Sequence, residues 1–221
     1  MSLFSGKRRC LVGLLVLGLV SCAPRSAAPD ADSQSIASAP ILEPTPAAPD
    51  ALVEGDIWSQ LRQAETHYYV LMRHAIAPGT GDPANFQLDD CSTQRNLSEA
   101  GRDQARRTGD VFRENNVAVE QVFSSAWCRC LETAELMDLA PVERLPALNS
   151  FFRDRAQGPE QTQQLREFMV NNQDKAGVTV LVTHFVNVAA IVGSGVSSGE
   201  MVVMRVNEQD EAEIVDFIEP L

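Results

Sequence analysis

Apolar positions along this chain fall in short unbroken runs separated by largely polar stretches. Four runs, Tyr68–Met72, Val119–Phe123, Val178–Val182 and Met201–Val206, have the continuous apolar character of parallel strands buried on both faces. Ile214–Ile218 is a weaker fifth. Between the runs the spacing turns helical. Ser98 is a good N-cap for a helix over Glu99–Asn115, where Ala100, Ala105, Val111 and Phe112 fall near helical spacing on an otherwise charged stretch. Cys128–Leu139 sets Leu131, Ala134 and Met137 or Asp138 on successive turns and stops before Pro141. A third helix starts near Pro159 and runs to about Asn171. Val186–Val192 is a short fourth, and Ile57–Arg62 a short helix ahead of the first strand. Strands alternating with helices in this way predict an α/β domain whose mainly parallel sheet is covered on both faces. Pro78–Asn96 has no periodicity and is rich in Gly, Pro and Asp. A long loop after a strand's carboxyl end is where a cover over an active site lies.

The N-terminal pattern is different. Lys7, Arg8 and Arg9 precede an apolar stretch over Cys10–Val20. That stretch is too short for a bilayer span, which takes about 20 residues, and it fits the apolar region of an export signal. Leu19-Val20-Ser21-Cys22 resembles a bacterial lipobox. The resemblance implies a signal peptide over 1–21, cleavage before Cys22, and lipidation of Cys22 on its sulfur and new amino group. Several acyl chains anchor firmly where one binds marginally. Ala23, rather than Asp, after Cys22 implies by the same resemblance an outer-membrane anchor facing the periplasm of a bacterial envelope. The alternative is a secretory signal cut near Ala23, with Cys22 discarded. Residues 22–50 are mostly Ala, Pro, Ser and Asp. They have too little to bury to offset their own ordering entropy and read as a flexible tether. Residues 51–221, about 170 in number, suffice for one domain with a single core.

Thirty acidic against 18 basic residues give a net charge of −12. With no basic run beyond the N-terminal segment, this argues against nucleic acid as a partner. It also requires that any anionic substrate be held by a local positive pocket.

Two of the chain's three histidines end apolar runs, in Tyr69-Val70-Leu71-Met72-Arg73-His74-Ala75 and in Val178-Thr179-Val180-Leu181-Val182-Thr183-His184. Ligands of open α/β sheets bind at the carboxyl ends of the strands. Arg73, His74 and His184 fall at that edge, and Arg129, one turn beyond Ser124-Ser125, falls there too. Two guanidiniums and two imidazoles without obvious acidic partners describe a pocket for a phosphate dianion, because arginine matches phosphate oxygens bidentately. Free amides at a helix start would add to the field. A neutral imidazole, with an ordinary pKa of about 6.5, is also a nucleophile. It needs one ring nitrogen free and the other N–H fixed by an acceptor. The second histidine, protonated or donating, would stabilise the equatorial oxygens.

Four pieces carry a family resemblance: Leu71-Met72-Arg73-His74-Ala75, Leu97-Ser98-Glu99-Ala100-Gly101-Arg102-Asp103-Gln104-Ala105, Ser124-Ser125-Ala126-Trp127-Cys128-Arg129-Cys130-Leu131-Glu132-Thr133-Ala134 and Val182-Thr183-His184. Together they resemble the histidine phosphatase superfamily, also called phosphoglycerate mutase-like, from about Tyr68 to Gly193. The resemblance implies a three-layer αβα fold and a metal-independent phosphomonoesterase without a cofactor. It implies His74 as the residue that becomes phosphorylated, and Arg73, Arg129 and His184 as the rest of the phosphate pocket. The substrate would be a phosphorylated small molecule or glycan of the envelope or periplasm.

The chain departs from the family in its proton donor. One branch has Asp directly after the second histidine, where this chain has Phe185, and the other has Glu near Leu148-Asn149-Ser150-Phe151, where there is no carboxylate. Asp89, Asp90, Asp154 and Glu200 are the candidate substitutes. The departure keeps open an alternative, a catalytically weak or inactive phosphate-ligand binding lipoprotein. Of the three domain cysteines one pair can bridge. Cys130 occupies a position that is small and buried in the family, so the resemblance favours Cys91–Cys128, tying the long loop beside Arg129. Cys128-Arg129-Cys130 is too tight for a zinc site. His67, at the start of the first strand, reads as a surface histidine at the opposite edge. Trp127 and Phe151-Phe152 read as core by default, with the rim of the pocket as the alternative, and Gly193-Ser194-Gly195-Val196, lying between a helix and a strand, as a plain turn.

Overall fold

A computed structural model describes residues 56–221. The expected signal, Cys22, the expected tether and residues 51–55 lie outside the described residues. In chain order the elements are α1 (Ile57–Gln63), β1 (His67–Arg73), α2 (Glu99–Glu114), β2 (Gln121–Ser124), α3 (Cys128–Met137), β3 (Val142–Arg144), α4 (Gly158–Asn171), β4 (Gly177–Thr183), α5 (Phe185–Val192), β5 (Met201–Val206) and β6 (Ala212–Ile218). The strands form one sheet in the order β3-β2-β4-β1-β5-β6. The first four in sequence pair in parallel, and β5 and β6 run antiparallel.

β1 reads as an unbroken apolar run because helices cover both of its faces. Tyr68, Val70 and Met72 point into a core with Leu61 of α1, Phe112 of α2 and Ala134 and Met137 of α3. Tyr69 and Leu71 point the other way, onto Leu165 and Met169 of α4 and Val188 and Ile191 of α5. This is a three-layer αβα sandwich. Each such side chain contributes about 1.5–3 kcal/mol by leaving water.

Met201–Val206 was expected among the parallel strands and is instead antiparallel to β1. Met201 to Met204 are buried all the same, and an apolar run records burial rather than direction. β2 starts at Gln121 rather than Val119. β3 was not predicted, being a three-residue edge strand with Glu143 and Arg144 exposed.

α2 is capped by Ser98, whose hydroxyl accepts the Gly101 amide. Its buried face is Gly101, Gln104, Ala105, Thr108, Gly109 and Phe112, so Ala100 and Val111 do not mark it. Small residues stand there because the packing is close. A Cβ on Gly109 would lie 1.9 Å from the Met137 carbonyl oxygen of α3, well inside contact distance.

His67 lies at the opposite sheet edge but is buried, contrary to the surface position expected. Its Nδ1 donates to the Lys175 carbonyl at 2.6 Å, and its Nε2 faces the Thr179 hydroxyl at 3.0 Å. The chain entering β4 covers it and satisfies both nitrogens. Gly193 is the left-handed C-cap of α5, a turn as expected. No helix among the described residues is long and apolar enough to cross a membrane.

Candidate active site

The parallel strands end at one edge, and β1, β2 and β4 lead there into the polar residues of the site. Arg73 is the last residue of β1 and His74 follows it; His184 stands between β4 and α5; Arg129 is the second residue of α3. All four line one cavity of about 270 Å³. His74 and His184 are only 2% and 3% exposed, with ring centroids 5.6 Å apart.

His74 Nδ1 lies 2.8 Å from the carbonyl oxygen of Ala75. A carbonyl only accepts, so Nδ1 carries the proton and Nε2 is left with its lone pair. Burial pushes the His74 pKa down to about 3; the Ala75 hydrogen bond opposes this, and the charges of Arg129, Arg95 and Arg73 add to it. The imidazole is thus neutral at any ordinary pH.

His184 Nδ1 accepts from Arg129 Nη2 at 3.3 Å, and its Nε2–H faces the Ser125 hydroxyl at 2.7 Å. Burial, then Arg129 and His74, hold its pKa well below the ordinary value. In this arrangement His184 is neutral, accepting from Arg129 at Nδ1 and donating to Ser125 from Nε2. The first amides near α3 are also occupied: Ala126 N–H by Asn149, Trp127 N–H by Ser125, and Cys128 N–H by Gln94. The guanidiniums of Arg73, Arg95 and Arg129 bring positive charge to the cavity.

Arg95 and Arg153 line the cavity as well and were not predicted. Arg95 donates to the carbonyl oxygens of Gly81 and Ala77, which places it on the inner side of the loop. Burial, with the neighbouring Arg129 charge, draws the Arg73 and Arg95 pKa values down. Arg73 Nε and Arg129 Nε are buried without a hydrogen-bond partner among the described residues. An oxyanion hydrogen-bonded to either would relieve its penalty.

The expectation of no acidic partner is overturned. Asp82, from the long loop, is the one carboxylate lining the cavity among the described residues. It pairs with Arg129 at 2.7 Å, the two side chains being 8% and 3% exposed. Burial alone would raise the Asp82 carboxyl, but the hydrogen bond and charge of Arg129 outweigh it and hold the pKa below the usual value. Its only sequence signal is an acid between Gly81 and Pro83 in an unpatterned loop. None of the four candidate acids lines the cavity. Asp89 is 3.8 Å from Arg144 on the surface; Asp90 and Asp154 cap short turns; Glu200 accepts the Ser197 amide.

Trp127 and Phe152 take the alternative of the two readings and line the cavity, Trp127 while also packing on the core, and exposed Phe185 joins them; Phe151 is buried. Cys91 and Cys128 form a disulfide, which fixes the loop to the first residue of α3. Cys130 is a buried free thiol, its pKa pushed up to about 12 by burial.

Two buried neutral histidines make stability depend on pH. Unfolded, each takes up a proton near its ordinary value of about 6.5; folded, neither does until far lower. The unfolded state therefore binds more protons below that value, and stability falls as pH falls, by about 1.4 kcal/mol per pH unit for each histidine. Urea melts between pH 6.5 and 5 check this. A flat profile would mean that both rings are charged in the folded protein.

Fold and cavity together define an α/β protein with a cavity lined by arginines and two histidines at the carboxyl ends of its parallel strands. The chain belongs to the histidine phosphatase superfamily (branch 1), whose sequence profile matches residues 69–186, more than half of it. Among solved structures, that of open reading frame Rv3214 from Mycobacterium tuberculosis matches at 15% identity and TM-score 0.54, over 70% of this chain and 97% of that one. A phosphoserine phosphatase from Entamoeba histolytica, in complex with phosphoserine, matches at 12% and 0.51, over 68% and 96%. The mycobacterial glucosyl-3-phosphoglycerate phosphatase Rv2419c matches at 17% and 0.50, over 67% and 97%. At such identities the likeness is one of fold. Comparison with curated proteins returns no match.

Proposed function

We propose that this protein is a phosphomonoesterase that works through a phosphohistidine on His74. One observation carries the reading: His74 has its Nδ1 proton fixed on the Ala75 carbonyl, leaving Nε2 lone-paired in a cavity walled by Arg73, Arg95 and Arg129. The guanidiniums bind the phosphoryl oxygens and stabilise the charge that spreads over them in the transition state. Nε2 attacks phosphorus, the ester oxygen leaves, and water then releases phosphate from the nitrogen. The three arginines supply the charge neutralisation, so no metal is called for. The aromatic mouth, Trp127, Phe152 and Phe185, favours a leaving group with an apolar or flat face.

The N-terminal segment supports a place for this activity in the bacterial envelope. Lys7–Arg9, the apolar run and Leu19–Cys22 read as a lipoprotein signal, with the catalytic domain held on its tether at the periplasmic side of the outer membrane. Envelope glycan phosphates or scavenged phosphomonoesters are the substrates such a place offers.

The test uses the full chain purified in mild detergent with 4-nitrophenyl phosphate and a chelator present. Nitrophenol release, with an alkali-stable and acid-labile phosphoryl label on the protein, is the expected result. Vanadate binding with no turnover across a panel of esters would instead make it a phosphate-ligand binding protein. Fractionation of bacteria expressing the full chain checks the location, which fails if the protein is found in the cytosol.

A further inference from the structure

The carboxylate in the cavity is held unequally. Asp82 Oδ1 accepts from Arg129 Nη1 at 2.7 Å and from the Arg95 amide at 3.1 Å. Oδ2 is looser, 3.2 Å from Trp127 Nε1 and 3.4 Å from Arg129 Nη2. The main chain around it is fixed as well. Arg153 donates to the carbonyl oxygens of Asp82 and Pro83, and the Cys91–Cys128 disulfide closes the loop onto α3. Asp82 thus stands on a supported segment, with Oδ1 on the shorter hydrogen bonds and Oδ2 on the longer ones, the oxygen more readily given over to a proton.

Arg129 is not saturated by this pair. Its Nε and that of Arg73 are buried and unpartnered among the described residues. A phosphoryl group bound on those N–H groups would share the Arg129 guanidinium with Asp82 rather than displace it. Asp82 would then face an anion across one guanidinium, and a neighbouring like charge favours the protonated carboxyl.

We propose that Asp82 is the proton donor to the leaving group, and the base for the water that follows. The proposal rests on the phosphatase reading. The ester monoanion brings the proton into the cavity and passes it to Oδ2. His74 Nε2 bonds to phosphorus, the P–O bond to the leaving group breaks, and its oxygen takes the proton from Oδ2 as an alcohol. Water then attacks the phosphohistidine and gives one proton back to Oδ2. The N–P bond breaks, the phosphate takes that proton from Oδ2 and leaves as dihydrogen phosphate, and His74 is neutral and Asp82 ionised again.

A residue that merely positions Arg129 affects every substrate alike, whereas a proton donor matters only where the leaving group is basic. The experiment compares wild-type full chain with Asp82→Asn on 4-nitrophenyl phosphate and on glycerol 1-phosphate. Asn keeps an acceptor for Arg129 and has no transferable proton. The expected loss is about 10²- to 10⁴-fold in kcat/KM on the alkyl ester and less than about tenfold on the aryl ester, with partial alkyl activity restored in Asp82→Glu. Equal losses, or a gain on both esters, overturn the assignment. Should Asp82→Asn not fold, the wild type decides: across a series of esters a proton donor flattens the dependence of kcat/KM on leaving-group basicity, and a steep dependence overturns it. A wild type inert on both esters, while folded, overturns the phosphatase reading itself and this assignment with it.

Discussion

His74→Ala is expected to lower kcat/KM for 4-nitrophenyl phosphate by at least about 10⁴-fold, since removing a covalent nucleophile leaves only binding and electrostatic stabilisation. The phosphoryl label on the protein should vanish with it. Folding should survive, because the imidazole makes one hydrogen bond, to the carbonyl of the adjacent Ala75. Leaving that carbonyl unpaired costs about 1–3 kcal/mol at neutral pH. Below pH 6.5 the balance shifts toward the variant, because the wild type must keep a buried imidazole uncharged and the variant has one fewer to keep. The acid-side slope of stability should therefore halve, from about 2.8 to about 1.4 kcal/mol per pH unit. Steady-state kinetics and urea melts at pH 7.5 and 5.5 test both halves. Retention of more than about a tenth of the rate would remove His74 from the covalent step.

The residues legible in the sequence are those fixed by burial on both faces of the sheet. β1 and β4 read as apolar runs because every residue from His67 to Met72 and from Gly177 to Thr183 is buried. The abrupt polarity of Arg73-His74 and Thr183-His184 then marks the edge where such strands stop. Arg129 was legible through its place one turn past Ser124-Ser125. What the pattern does not encode is the path of the loop over that edge. Asp82 and Arg95 are 13 positions apart, yet the Arg95 amide and Asp82 carboxylate meet at 3.1 Å. The loop turns inward because Arg95 reaches the Gly81 and Ala77 carbonyls and Cys91 is bound to Cys128. Such contacts depend on side-chain reach, not on period. β3 was hidden for the opposite reason, since a short edge strand with two charged residues buries almost nothing. On α2 the close approach to α3 selects Gly109 and Thr108, so the helix's inner face carries little of the apolar signal that identifies such faces.

Arg129→Ala is expected to damage both activity and stability, and the two can be separated. For activity the guanidinium is the one group that touches Asp82, His184 and, in the proposed reaction, the phosphoryl oxygens. Its loss should reduce kcat/KM by about 10³-fold or more, the scale of an arginine that stabilises phosphoryl-transfer charge. For stability, Asp82 is left as a carboxylate in a site where its side chain is 8% exposed. Breaking a buried pair on one side costs about 3–5 kcal/mol, most of it the uncompensated charge rather than the lost attraction. Asp82→Asn added to Arg129→Ala removes that charge while nearly keeping its shape. The double variant should recover most of the lost stability and none of the lost activity. A coupling free energy of this sign from urea melts, with kinetics on the same preparations, is the measurement. If Arg129→Ala alone is as stable as wild type, water must reach the pair and the ion pair is not the buried contact described. If the double variant regains turnover, Arg129 serves to neutralise Asp82 rather than to hold the phosphoryl group. The phosphate would then rest on Arg73 and Arg95 alone.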